Sequence, residues 1–359
     1  MSESPEKSER FSPGFMPPEE RDKESWLAEE EGGAGDESVD APPGTRTAPH
    51  DKPVVLLHRL QSFNLPFKGR LSDHYTILDP WSSPDLPDSF LACHGPSVRA
   101  LLCVGPSPLP SSTLRLLPCL ELVVGHIDLP ECRRRGISVT NAGPAFSEDV
   151  ADYAVGLLLD VLRRVSAGDR HVRSRQWAKE GAFPLGSKLG GKRVGIVGLG
   201  NIGSQVAKRL TAFGCEIAYI SRKEKPSAPF PYYSTILDLA ANSDILVLCC
   251  ALTDDTHHII NRDVMTVLGK HGVIINVGRG ALIDEKELVQ FLVGGDLRGA
   301  GLDVFEDEPN VPKELFDLDN VVLSPHVAAT TPESFQMLED LVVSNLKAFF
   351  TNKPLSALV

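Results

Sequence analysis

The stretch RVGIVGLGNIGSQVAKRL, residues 193–210, constrains this chain more than any other. A short β-rich run leads straight into Gly198, Gly200 and Gly203 at G-x-G-x-x-G spacing, and an amphipathic helical pattern comes at once after them. The first glycine permits a tight turn, the second lets the backbone approach a pyrophosphate, and the third lets helix and strand pack closely. Amide groups at the helix start then face the phosphates. Strand, glycines and helix in this order predict the opening unit of a dinucleotide-binding sheet, with Asn201 and Ile202 inside the cofactor turn.

The chain beyond this unit keeps the same rhythm. EIAYIS, DILVLCC, GVIINVG, GAGLDV and NVVLSPH are β-rich runs separated by helical patterns, which predicts a parallel sheet covered on both faces. Ahead of it, PVVLLH, VRALLCVG and LELVV read as short buried strands with Pro-rich connections, a smaller α/β domain. The stretch FSEDVADYAVGLLLDVLRRV predicts a long buried helix with Ser147 as N-cap and acids in its first turn. Thr331 and Pro332 open a last amphipathic helix that is expected to return to the first domain. The expected fold class is α/β, with a Rossmann-type doubly wound parallel sheet as the larger part.

Charge and cysteine usage exclude whole classes of partner. A net charge of −12 with no stripe of Lys and Arg argues against nucleic acid, while an anionic small substrate needs only local cations. No apolar run reaches the roughly 18 residues of a membrane span. Residues 1–50 hold 13 acids against 5 bases, eight of the twelve net charges, and their composition predicts a disordered acidic tail over 1–51. That tail has neither the Arg-rich character of a transit peptide nor the apolar core of a secretory signal, so a cytoplasmic location is expected. Seven cysteines without a C-x-x-C pair fit reduced thiols in such a compartment. His257 and His258 have no cysteine or carboxylate cluster at ligand spacing around them, so no metal is expected and a surface or helix-start role is.

The tip of the second strand of the dinucleotide unit discriminates between cofactors. A carboxylate about 20 residues beyond the last glycine would bind the ribose hydroxyls of NAD. Here Ser221, 18 residues beyond Gly203, is followed by Arg222 and Lys223. A carboxylate would repel a 2′-phosphate, whereas a hydroxyl, a planar guanidinium and an ammonium can cradle it. NADP (NADPH) is therefore expected, with NAD at lower preference. A solvated loop is the plain alternative for RKEK, and only the preceding glycines displace it.

Arg279, Glu308 and His326 lie at the ends of later strands, where an open parallel sheet faces its ligand crevice. An arginine can bind a carboxylate, a histidine can protonate the adjacent carbonyl oxygen, and a glutamate can stabilise the imidazolium. Taken singly, each residue has a structural alternative: a surface ion pair, a turn before Pro309, a satisfied core histidine. Together they describe a 2-keto-acid reductase.

The motifs GLGNIG, NVGRGALIDEKEL, GLDVFEDEP and SPHVA are long and specific, and through them residues 53–355 resemble the D-isomer-specific 2-hydroxy-acid dehydrogenase family, in its plant-type glyoxylate, hydroxypyruvate and hydroxyphenylpyruvate reductase branch. The resemblance implies a smaller, flavodoxin-like α/β substrate domain over 52–146, completed by a C-terminal helix within 331–359, and an NADP-binding Rossmann domain over 147–330. It places the family's catalytic Arg, Glu and His on Arg279, Glu308 and His326. It puts Asp303 at the nicotinamide amide, and Cys250, Ala251, Thr256, Val277, Gly278, Arg279 and His326 along the cofactor. The substrate carboxylate is then expected against Val124, Gly125, Arg279 and His326. The branch implies NADPH, small 2-keto acids and their 2-hydroxy acids, and a homodimer formed through the nucleotide domains. Two other readings stay open on the sequence: a dinucleotide-sensing interaction protein of corepressor type, and a catalytically impaired splice form, because the connection at 124–127 is shorter than the family's.

Overall fold

The computed structural model describes residues 52–59, 65–104, 111–124 and 129–359. The acidic tail and the expected substrate loop from Gly125 lie outside the described residues, as does the side chain of Val124.

Two parallel sheets carry the described chain. In the first, β1 (Val54–Arg59), β2 (Thr76–Leu78), β3 (Ala100–Val104), β4 (Leu122–Val124) and β5 (Ser138–Thr140) lie in the order 2-1-3-4-5, a doubly wound order of flavodoxin type. One face packs Val55, Leu57 and Leu102 against Leu338, Val342 and Leu346 of the helix Pro332–Phe350. The other packs Leu56, Leu101 and Val123 against Phe90, Leu91, Leu114 and Cys132. The chain end adds an antiparallel bridge from Leu358 to Thr140.

The second sheet comprises β6 (Arg193–Val197), β7 (Glu216–Ile220), β8 (Ile245–Leu248), β9 (Val273–Asn276), β10 (Gly299–Leu302) and β11 (Val321–Leu323), in the order 11-10-9-8-6-7. Each β-rich run anticipated from residue 193 onward is one of these strands. Beyond β7, Tyr232 makes a parallel bridge to Tyr219, so the segment around it occupies the place of a further edge strand. Alternate strand residues serve opposite faces. Val194, Ile196, Val247 and Ile275 meet the helices Ser147–Arg163 and Asn201–Ala212. Val197, Leu246, Leu248 and Ile274 meet the helices Ile236–Ala241, Arg262–Leu268 and Glu285–Gly294. Burial on both faces is why these strands read as nearly continuous apolar runs.

The two helix starts anticipated from capping side chains come out differently. Thr331 caps Pro332–Phe350 as expected, in a capping box with Ser334. Ser147 is not an N-cap: Phe146 holds that position and Ser147 is the first helical residue, buried, with its amide on the Pro144 carbonyl at 2.9 Å. The helix starts one residue earlier than the hydroxyl suggested, and the Val150 amide takes the Phe146 carbonyl at 3.0 Å in place of a capping hydroxyl.

Candidate active site

The order of the second sheet reverses direction at β6, with β7 on one side and β8 on the other. Ligands of open α/β sheets bind at such a switch point, beyond the carboxyl ends of the strands. The glycine-rich turn stands there. Gly198 has φ +95, and a Cβ on it would lie 2.7 Å from the Cα of Cys250 at the end of β8. A Cβ on Gly203 would lie 2.1 Å from the Gly198 carbonyl oxygen. Both glycines are thus required by the protein's own packing. Gly200 differs: it caps the helix Asn201–Ala212, and a Cβ there would meet nothing within 4 Å. An open face at the start of a 12-residue helix fits a dinucleotide pyrophosphate.

The neighbouring turns are held in place. Asn201 reaches the Gly143 carbonyl at 3.4 Å, and Ile202 is half-buried behind it. Thr256 donates to the Ala251 carbonyl at 2.8 Å and accepts the Thr253 amide at 2.7 Å, closing the turn after Cys250. Burial pushes the Cys250 thiol up to about 11, so it stays protonated at neutral pH. Val277 is buried, and the Gly278 amide donates to the Asn276 side chain at 3.0 Å. At the tip of β7, Ser221 donates to the Lys223 carbonyl at 2.6 Å. Arg222 and Lys223 are exposed, and neither head group has a hydrogen-bond or ion-pair partner among the described residues.

Arg279, Glu308 and His326 come together from three loops. Asn276, the last residue of β9, donates to the Arg279 carbonyl at 2.9 Å, and the Arg279 guanidinium donates to the Gly278 carbonyl at 2.7 Å. Burial holds that guanidinium below its ordinary value, opposed by the charge of Glu308. Glu308 accepts the Phe305 amide on Oε1 at 3.1 Å, and its Oε2 lies 2.8 Å from His326 Nδ1. Burial pushes the Glu308 carboxyl up, but the hydrogen bonds from His326 and Phe305 and the charges of His326 and Arg279 outweigh it, leaving it below its ordinary value. With Nδ1 on Glu308, the other ring nitrogen, Nε2, has no hydrogen-bond partner among the described residues.

Asp303 does more than the sequence indicated. It is 1% exposed, and its Oδ1 accepts the Ser324 hydroxyl at 2.6 Å and the Val327 amide at 2.9 Å. Its Oδ2 accepts the Ala328 amide at 2.9 Å, and its carbonyl accepts the His326 amide at 2.8 Å. One aspartate therefore shapes the whole loop that carries His326. The sequence also gave no sign of what His258 does: its ring stacks on His257 at 3.9 Å, its Nε2 bonds Glu306, and its amide holds the Ala281 carbonyl at 2.8 Å. It braces the Arg279 loop against the Glu308 loop. No group of His, Cys, Asp or Glu among the described residues is placed to hold a metal ion.

Comparison with known proteins agrees with this geometry. Residues 155–328 match the NAD binding domain of D-isomer specific 2-hydroxyacid dehydrogenases. Glyoxylate/hydroxypyruvate reductase HPR3 of Arabidopsis thaliana is 58% identical over 311 residues, which is 85% of this chain and 96% of the relative. Hydroxyphenylpyruvate reductase of Plectranthus scutellarioides is 48% identical over 291 residues, 79% of this chain and 92% of that protein. Among solved structures, an NADPH-dependent glyoxylate/hydroxypyruvate reductase from Sinorhizobium meliloti in complex with NADP and malonate superposes with a TM-score of 0.78 at 37% identity, covering 86% of this chain and 97% of that one. With the glycine-rich turn at the switch point, the Arg, Glu and His loops converging beside it, and relatives matched along nearly their whole length, the chain belongs to the D-isomer specific 2-hydroxyacid dehydrogenase family.

Proposed function

We propose that this chain reduces small 2-keto acids, with glyoxylate and hydroxypyruvate as first candidates, to 2-hydroxy acids at the expense of NADPH. The observation that carries the reading is the His326–Glu308 pair at 2.8 Å beside the half-buried Arg279. A bound dihydronicotinamide supplies the hydride. Arg279 binds the substrate carboxylate and orients the neighbouring carbonyl. His326, protonated and paired through Nδ1, gives the proton on Nε2 to the carbonyl oxygen as that oxygen gains negative charge. Glu308 stabilises the imidazolium before the transfer and fixes the ring. Asp303 holds the loop, and its remaining acceptor capacity suits the nicotinamide amide.

In this reading residues 147–330 form the dinucleotide domain, and 52–146 with the helix Pro332–Phe350 form the substrate domain. The similarity of HPR3 and the Sinorhizobium enzyme supports both the substrates and NADPH, and the unpartnered Arg222 and Lys223 supply the charge that a 2′-phosphate needs. A homodimer is part of the proposal, as is a cytoplasmic location. The test is a panel of keto acids assayed with each dinucleotide on the unmodified protein. Turnover of hydroxypyruvate or glyoxylate with NADPH, and a preference over NADH that Arg222→Ala erodes roughly 10- to 150-fold, is expected. Saturable dinucleotide binding without turnover of any keto acid would refute it.

A further inference from the structure

The cation that the structure ties most closely to the glycine-rich turn is neither Arg222 nor Lys223 but Lys225. Its ammonium donates to the carbonyl oxygen of Leu199, between Gly198 and Gly200 and 26 residues away in sequence. An ammonium has three donors, and among the described residues Leu199 is its one acceptor.

The loop that presents Lys225 is built rather than merely solvated. Tyr219 in β7 is 1% exposed, and its hydroxyl accepts the Lys225 amide at 2.8 Å and stands 3.4 Å from the Lys225 carbonyl. The Tyr219 ring packs on Tyr232 with centroids 5.5 Å apart, and the Tyr232 hydroxyl lies 3.4 Å from the Ser221 carbonyl. The edge segment is fastened alongside, with the Tyr219 amide on the Pro231 carbonyl at 3.0 Å and the Tyr233 amide on the Tyr219 carbonyl at 2.9 Å. At the other end, the Gly198 amide bonds the Ile220 carbonyl at 2.9 Å. Both ends of Ser221–Lys225 are therefore pinned. A buried tyrosine hydroxyl needs a partner, and the Lys225 backbone supplies it, which fixes the loop at this residue.

We propose that Lys225 is a discriminating cation of the adenosine-ribose site, binding the 2′-phosphate together with Arg222 and linking it to the glycine-rich turn through Leu199, with Tyr219 as its positioning residue. This rests on the NADPH reading and deepens it. The carbonyl of Leu199 would oppose a nearby anion, and the ammonium seated on it reverses the local sign. Glu224 is the carboxylate within the loop, so Arg222, Lys223 and Lys225 leave the tip with a net positive charge.

The test uses the full chain and probes that isolate the phosphate: 2′,5′-ADP against 5′-AMP by calorimetry, and NADPH against NADH by fluorescence. Lys225→Met keeps the stem and removes the charge. It is expected to weaken 2′,5′-ADP and NADPH roughly 10- to 100-fold and to leave 5′-AMP and NADH within about twofold, with Lys225→Arg restoring most of the loss. Tyr219→Phe is expected to move the same ratio in the same direction by less, at a melting temperature that shows the fold intact. Equal weakening of all four ligands would overturn the proposal by placing Lys225 on the 5′-phosphate or the adenosine that they share. No weakening of any would overturn it by reducing Lys225 to a strap across the turn. If the unmodified protein binds 5′-AMP as tightly as 2′,5′-ADP, the NADPH reading itself fails; if only the variant keeps an undiminished preference, the assignment of Lys225 alone fails.

Discussion

His326 sits at φ +55, a conformation that a non-glycine residue adopts only where its surroundings require it. Those surroundings are the four bonds to Asp303, which hold the loop from Ser324 to Ala328. Asp303→Asn places an amide group where two backbone amides and a hydroxyl now donate, leaving at least one buried donor unpaired. A stability loss of about 1 to 3 kcal/mol is expected in thermal melts, together with a fall in kcat because the ring is no longer aimed. His326→Gln separates aim from chemistry: kcat should fall by roughly 10² to 10⁴ while NADPH affinity, read by fluorescence, stays unchanged. Glu308 makes a pH-dependent contribution of definite sign. Its folded carboxyl lies below the ordinary 4.5, so the stabilisation it brings is present above that value and is lost as pH falls through the lower folded value. The melting-temperature gap between the unmodified protein and Glu308→Gln should therefore be widest near neutral pH and close in acid. A gap that widens on acidification would mean that the carboxylate is not the stabilised form.

At the scale of elements, Gly203 and Gly200 make contrasting predictions. A side chain on Gly203 collides with the Gly198 carbonyl inside the protein, so Gly203→Val should lower both the melting temperature and dinucleotide affinity. A Cβ on Gly200 meets no protein atom within 4 Å and its φ of −82 suits any residue, so Gly200→Ala should leave the melting temperature alone and weaken the dinucleotide, whose space it enters. Loss of stability in the second variant would show that the open face is not a ligand cradle. The turn was legible in the sequence because glycine is required there locally, and the β-rich runs were legible because both faces of their sheet are buried. Lys225 was not legible, since its meaning depends on a tyrosine hydroxyl and a carbonyl 26 residues away, and nothing in RKEK distinguishes its last lysine from a solvated one. Ser147 misled for the opposite reason: its local signal was correct in kind, but the helix starts one residue earlier and the Phe146 carbonyl meets the Val150 amide. The convergence of Arg279, Glu308 and His326 was inferred from their placement at strand ends and from the family resemblance. The bracing of those loops by Asp303 and His258 involved side chains whose partners sequence order does not reveal.

Across the whole described chain, the two sheets are joined through helices that the sequence marks at their starts. Thr331, which caps the last helix, also donates to Asp149 in the first turn of Ser147–Arg163 at 2.5 Å, tying the two long helices together. Directly beyond that buried helix, one run of about twenty residues leaves much apolar surface uncovered. Val165, Val172, Trp177 and Leu185 are 60%, 54%, 64% and 93% exposed within it. Apolar residues scattered singly over a surface need no explanation, but four large ones within one stretch of sequence make that stretch the candidate to test for association. The partner that fits the homodimer proposal is a second copy, for which a two-fold interface pairs this run with itself or its neighbourhood. Replacing Trp177 and Leu185 together by Asp puts charges where an apolar interface must form, yet neither residue contributes to the cores under the sheets, so the fold should survive. Sedimentation velocity should show a dimer for the unmodified protein and a monomer for Trp177→Asp with Leu185→Asp, with circular dichroism of the two indistinguishable. A variant that still sediments as a dimer would remove this run from the interface, and an unmodified protein that sediments as a monomer at micromolar concentration would remove the homodimer altogether.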